Sequence, residues 1–149
     1  MAEIILKNLV KQYGNLVAVN KVNLTIRDQE FLVLLGPSGC GKTTTLRSIS
    51  GLEIPTDGQI LLDGEDVTNK RASERDIAFV FQLYALYPHM TAYQNIAFPL
   101  KTQKVDKATI DVEVNKIADM LRIKHILHRK PRELAGGDMQ RVALGRALV

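Results

Sequence analysis

The run Gly36-Pro37-Ser38-Gly39-Cys40-Gly41-Lys42-Thr43 constrains this chain more than any other feature. It fits the pattern G-x-x-x-x-G-K-[ST] without mismatch. A chance match is expected in roughly one of two hundred chains of this length. The spacing has a physical reason. Glycines let the backbone curl into a nest whose N–H groups converge on phosphate oxygens. A helix starting near Lys42 adds the positive end of its dipole. The Lys42 ammonium then reaches the terminal phosphates, and the Thr43 hydroxyl is suited to ligating Mg²⁺. Thr44 belongs to the same contact set. The flanks agree with this reading, with an all-apolar run (FLVLL, Phe31 to Leu35) before the loop and helix-compatible residues from Lys42 to Ile49 after it. Such a loop binds a nucleotide but does not name the reaction, since kinases, GTPases, motor ATPases and transport ATPases all use one.

The rest of the chain reads as α/β. Ile4 and Leu6, then Val22, Leu24 and Ile26, alternate with polar residues and predict half-buried antiparallel strands joined by a turn at Tyr13-Gly14-Asn15. The unbroken apolar runs Phe31 to Leu35 and Ile77 to Phe81 predict strands covered on both faces. Gly51 is a helix stop. Pro55 to Gly58 is a turn and Gln59 to Leu62 a further strand. From about Tyr84 the pattern becomes helical. Thr91-x-x-Gln94 has the form of a capping box. Ile110, Val114, Ile117, Ala118 and Leu121 share one helix face, with Asp106 as candidate N-cap. A basic loop follows, and Gly136-Gly137 opens a last helix, Asp138 to Val149. The 149 residues suit one domain, and 46% apolar with 24% charged residues is globular composition. A single cysteine, Cys40, precludes an internal disulfide and fits a reducing compartment. No run is long enough to span a bilayer, and Glu3, Lys7 and Lys11 interrupt any secretory signal. A net charge of +4 does not call for nucleic acid, and none is expected as a partner.

Four stretches together, KQYGNLVAVN, GPSGCGKTTTLRSISGLE, RDIAFVFQLYALYPHMTAYQNIAFPL and ELAGGDMQRVALGRALV, resemble the nucleotide-binding subunits of ABC transporters over essentially the whole chain. The YALYPHMT run is most similar to the branch that energises sugar importers of the maltose and multiple-sugar type, and less specifically to polyamine and anion importers. The resemblance implies a P-loop NTPase core with an N-terminal antiparallel β portion and a helical subdomain, ending before the Walker B strand. It implies a partial nucleotide-binding domain: a P-loop core over about 1–82, a helical subdomain over about 83–137, and the start of a returning helix over 138–149. It implies ATP and Mg²⁺ as ligands and ATP hydrolysis that powers import. The implied partners are membrane-spanning permease subunits and, in the complete subunit, a second copy. The implied location is peripheral, on the cytoplasmic face of the membrane.

By the same resemblance, Tyr13 stacks on adenine and Ala18 lines that pocket. Taken alone, Tyr13 reads rather as a hairpin-turn aromatic, an order that the P-loop reverses, and Ala18 reads equally as a small strand residue packed in the β portion. Gln82 corresponds to the Q-loop glutamine, which touches Mg²⁺ or water and senses the membrane subunits; with Lys42 it is the candidate catalytic pair. An amide both donates and accepts, which suits that role. Leu134-Ala135-Gly136-Gly137-Asp138 occupies the signature position, which acts on the ATP of the opposite subunit. The usual LSGGQ differs at two letters. Ala135 lacks the serine hydroxyl, and Asp138 puts a carboxylate where phosphate would approach.

The family's hhhh-D-E strand, with its metal-shell Asp and water-polarising Glu, has no counterpart here. Ile60-Leu61-Leu62-Asp63-Gly64-Glu65 imitates it, but lies too soon after the P-loop and reads as a hairpin, so Asp63 and Glu65 are not taken as catalytic. His89, His125 and His128 sit in a loop or among Lys and Arg and do not suggest a metal site. Two rival functions remain: a nucleotide-binding or regulatory module that never hydrolyses ATP, and a small P-loop phosphotransferase, against which GGDMQRVALGRAL argues.

Overall fold

The computed structural model describes residues 3–149, and the chain divides into two compact units between Ile77 and Ala78. In the first unit, strands β1 (Ile4–Tyr13) and β2 (Leu16–Ile26) form an antiparallel hairpin. Its two-residue loop puts Gly14 at φ +55°, a conformation that glycine adopts without cost. Strand β3 (Asp57–Leu62) pairs antiparallel with β1, and the short β4 (Glu65–Asp66) pairs with β3, giving the order β2-β1-β3-β4. Asp63 and Gly64, both at positive φ, form the β3–β4 turn. That is the hairpin expected of the DGED segment. β3 starts two residues earlier than the sequence suggests, since Asp57 and Gly58 join the strand rather than the turn. Gly58 is needed there, because a Cβ would lie 2.4 Å from the Asn8 carbonyl oxygen. At that irregular point of β1, Asn8 and Asn23 exchange hydrogen bonds in place of the ladder: Asn23 Oδ1 accepts from the Asn8 N–H at 2.8 Å.

Helix α1 (Lys42–Ile49) matches its prediction, and Gly51 follows its cap at φ +75°. Leu6, Leu9, Val19, Ile49, Ile60 and Val67 form the core of this unit. At the C-terminal end of α1 lies a buried guanidinium. Arg75 donates to the carbonyls of Ser48 and Ile49, both at 2.7 Å, and to those of Thr68 and Lys70. A cation belongs there, against the negative end of the helix dipole.

Two strand predictions fail. Residues 31–35 form no strand: Phe31 is 91% exposed and Leu35 87%. Residues 77–81 also lie outside any sheet, with Phe79 and Phe81 packed edge to face at 5.0 Å. Runs apolar at every position need sheet neighbours and covering layers on both faces. The described sheet is wholly antiparallel and gives these runs no strand to pair with.

The second unit is helical: α2 (Ala92–Thr102), α3 (Lys107–Met120) and α4 (Gly136–Leu148). Helical structure begins at Ala92, not near Tyr84. Pro88 and the positive φ of Tyr84 and Ala85 keep the segment before it irregular. The Thr91–Gln94 capping box and the Asp106 cap are present as expected. Ile110, Val114, Ile117 and Ala118 are buried together with Ile96, Ile123, Ile126 and Val142. α4 packs within this unit against α2 and α3. Gly145 makes the approach possible, as a Cβ would sit 3.1 Å from Ile96 Cδ1.

Candidate functional site

Helix starts leave N–H groups without intrahelical partners. In α2 and α3 side chains satisfy part of that need, from Thr91 and Asp106. In α1 and α4 they do not: the N-cap residues Gly41 and Ala135 make no side-chain cap bond. Both uncapped ends are rich in glycine, and both are segments singled out in the sequence for phosphate.

At α1 the geometry depends on glycine. Gly41 has φ +91°, and a Cβ there would meet the Ala18 carbonyl oxygen at 2.3 Å. Gly39 has φ +82°, and a Cβ on Gly36 would meet Cys40 Sγ at 2.7 Å. β2 therefore carries Ala18 directly against the loop. The Lys42 ammonium lies along the loop, donating to the carbonyls of Gly36 at 2.7 Å and Pro37 at 2.8 Å, with Cys40 Sγ at 3.5 Å. Thr45 donates to the Gly41 carbonyl at 2.9 Å and fixes the first turn. Ser38, Gly39, Cys40 and the Thr43 side chain face solvent. The loop thus fits a polyphosphate: uncapped N–H groups, no room for a Cβ at Gly41, a lysine ammonium at the loop, and an exposed Thr43 hydroxyl suited to a divalent metal.

Tyr13 ends β1 and is 45% exposed. Lys11 Nζ sits 5.0 Å from its ring centroid. Lys11 is held in turn by Glu53 at 2.7 Å and by the Ile54 carbonyl. The Lys11 partner holds the Glu53 carboxyl below its ordinary pKa, opposed by partial burial, and Tyr13 and Arg47 contribute to the lowering. This cluster fixes the orientation of the aromatic, and spacing alone did not reveal it.

Gln82 lies exposed on the coil of the second unit. The signature segment leads into α4. Leu134 packs on the helical core, while Gly136 and Gly137 have open space where a Cβ would be. Asp138 stands in the first turn, 3.9 Å from Arg141. That pair moderates, without removing, the negative charge at this helix start. Asp63, in the β3–β4 turn, accepts from the Glu3 N–H just before β1, and Glu65 pairs with Lys70. Among the described residues no group of His, Cys, Asp and Glu is arranged to hold a metal ion.

Two residues absent from the sequence reading stand out. Asn95 is fully buried and binds the Tyr87 N–H through Oδ1 at 2.8 Å, while Nδ2 donates to the carbonyls of Tyr87, Met90 and Thr91. Arg146 donates to the carbonyls of Ala85 and Tyr84 and lies over the Tyr87 ring. A polar residue within an apolar helix face was the available signal for each. A groove of about 440 Å³, lined by Phe79, Tyr87, Phe98, Pro99, Ala143 and Arg146, opens beside them.

A family model described as ABC transporter matches residues 19–149. The trehalose/maltose import ATP-binding protein MalK of Thermococcus litoralis is 53% identical over all of this chain and 42% of its own length. The trehalose import ATP-binding protein SugC of Mycobacterium tuberculosis is 55% identical over all of this chain and 38% of its own. The sn-glycerol-3-phosphate import ATP-binding protein UgpC of Psychromonas ingrahamii is 54% identical, again over the whole chain and 40% of its own. The chain thus spans about two fifths of the length of these relatives. Among solved structures, the dimeric bacterial ABC transporter cassette MJ0796 superposes with a TM-score of 0.88 at 34% identity, covering 97% of this chain and 68% of that one. Its post-hydrolysis state bound to ADP and Pi gives 0.86 at 33%, with the same coverage.

Proposed function

Because the chain belongs to the ABC transporter family, we propose that it is the nucleotide-binding part of an importer's ATP-binding subunit, driving uptake of a small polyhydroxylated solute, a sugar in the first instance. The observation that carries this reading is the pair of glycine-rich, uncapped helix starts at α1 and α4. The relatives named for import of trehalose and maltose support the solute class. The relative named for sn-glycerol-3-phosphate keeps polyol phosphates within it.

In this reading Gly36 to Thr44 wrap the phosphates of ATP. Lys42 leaves its carbonyl partners to neutralise the terminal phosphate charge. Tyr13 stacks on adenine beside Ala18. Thr43 and Gln82 would hold Mg²⁺, which would supply positive charge to offset that of the phosphates. Gly136 and Gly137, with Leu134, Ala135 and Asp138 around them, approach the ATP of a second copy, so that closure of the dimer encloses each nucleotide. Within the subunit, residues of about 1–82 serve as the catalytic core, about 83–137 as the helical subdomain, and 138–149 as the helix returning to the core. No helix among the described residues is long and apolar enough to cross a membrane. In this reading, which the likeness to import ATP-binding proteins supports, the subunit works peripherally, on the cytoplasmic face, against membrane-spanning permease subunits.

The test is reconstitution of the subunit with its permeases in vesicles. ATP-dependent uptake of trehalose or maltose is expected, and uptake is lost in Lys42→Ala. Uptake that persists in Lys42→Ala, or none for sugars and polyol phosphates alike, overturns the proposal.

A further inference from the structure

Arg146 lies half-buried on α4. The segment that follows Gln82 is held in an unusual conformation. Tyr84 and Ala85 are consecutive non-glycine residues at φ +62° and +47°. The Ala85 N–H donates to the Leu83 carbonyl at 2.7 Å, a tight turn centred on Tyr84. L side chains persist in such conformations only when their surroundings hold them there.

Arg146 supplies the hold. Its guanidinium donates to the Ala85 carbonyl at 2.8 Å and to the Tyr84 carbonyl at 3.2 Å, and its Cζ lies 5.4 Å from the centre of the Tyr87 ring. The planar, multi-donor head of arginine suits two adjacent carbonyls and a ring at once, and an ammonium does not. Asn95 fixes the next stretch, through the backbone of Tyr87. Gln82 itself is exposed. It is therefore a free side chain on a backbone fastened a few residues away. The opposite end of the same 13-residue helix carries Gly136 and Gly137. At 1.5 Å per residue the two ends are roughly 20 Å apart on one rigid element.

We propose that Arg146 is the positioning residue of the Gln82 loop, and that through it α4 links the loop to the Gly136–Gly137 end of the helix. A shift of the helix on engagement of its glycine end is carried by two hydrogen bonds into the backbone that presents Gln82. This proposal rests on the reading of Gln82 as the residue that responds to bound nucleotide.

The experiment is a double-mutant cycle on the complete subunit assembled with its permeases, using Gln82→Ala, Arg146→Ala and both together. ATP turnover is followed over a range of ATP concentrations, and backbone amide exchange of residues 83–87 is followed in parallel. Arg146→Ala is expected to lower kcat by about tenfold while KM for ATP changes little. The double variant is expected to fall within about twofold of Gln82→Ala alone, because both changes act through one loop. Amide exchange across 83–87 is expected to quicken by about tenfold, with α3 unchanged. Arg146→Lys, which can reach one carbonyl, is expected to recover part of kcat. Fully multiplicative effects in the cycle, or unchanged exchange in Arg146→Ala, overturn the proposal. Unchanged kcat in Gln82→Ala removes the reading of Gln82 instead, and the exchange result then decides whether Arg146 holds the loop. If Arg146→Ala does not fold, Arg146→Gln, which keeps the stem and one donor, enters the same cycle.

Discussion

Tyr13 shows how a residue's neighbours decide its use. Alone on a strand end, an exposed aromatic is unremarkable. Here Lys11 holds one side of the ring, and Glu53 holds Lys11. The ring is therefore pre-oriented, and stacking a base on it costs little side-chain entropy. Tyr13→Ala is expected to weaken ATP binding by about 1–3 kcal/mol, with Tyr13→Trp close to the parent. Fluorescence titration with a labelled ATP analogue checks this, and equal affinity of the alanine variant would remove Tyr13 from the site. The P-loop residues were legible in the sequence because the pattern encodes backbone geometry directly: Gly41 admits no side chain against Ala18. The Lys11–Glu53 brace and Arg146 were not, because each acts on a partner distant in sequence, and Asn95 was not, because it binds the backbone of the nearby irregular segment, which carries no side-chain pattern.

Among the elements, the hairpin β1–β2, helix α1 and the capped helices α2 and α3 follow from local patterns. The hairpin pairs with its sequence neighbour, α2 and α3 cap their own starts, and the glycines of the loop mark where α1 begins. The runs 31–35 and 77–81 were misread for the opposite reason. Their composition specifies burial on both faces, but only tertiary partners can provide it. Helix α1 is also tied down at its C-terminal end. Arg75 satisfies carbonyls of Ser48, Ile49, Thr68 and Lys70 from a nearly buried position. Arg75→Leu removes a donor from each of these carbonyls, of which, among the described residues, only that of Ser48 keeps another, the Gly51 N–H, and is expected to cost about 3 kcal/mol. Urea unfolding checks it, and a loss below about 1 kcal/mol would show that water replaces the guanidinium without penalty. Arg75→Lys is expected to fall between the two.

Across the whole molecule, titration has a definite sign. Several carboxyls sit below their ordinary range: Glu53 through Lys11, Asp66 through the Thr68 hydroxyl, Asp106 through Thr109, and Glu133 through the Lys130 N–H. Their folded forms bind protons less readily than the unfolded chain. The stability they contribute is present above about pH 4.5 and is lost as pH falls through the folded values. Tyr93 is the converse case. Burial and then Asp111 push its phenol up to about 12, so its contribution is complete below the ordinary phenol value and lost as pH rises toward 12. Thermal unfolding is therefore expected to move to lower temperature on acidification from pH 6 to about 3, and again above about pH 10, with Tyr93→Phe flattening only the alkaline limb. An alkaline limb unchanged in Tyr93→Phe would place its origin elsewhere.

The central claim is that the Gly36–Thr43 loop binds the phosphates of ATP. Calorimetric titration of the 149-residue chain with MgATP, beside its Lys42→Ala variant, tests it most directly. Saturable one-to-one binding by the parent is expected, weakened by about tenfold or more when the ammonium is removed. Equal affinity of parent and Lys42→Ala, or no binding by a folded parent, would contradict the account.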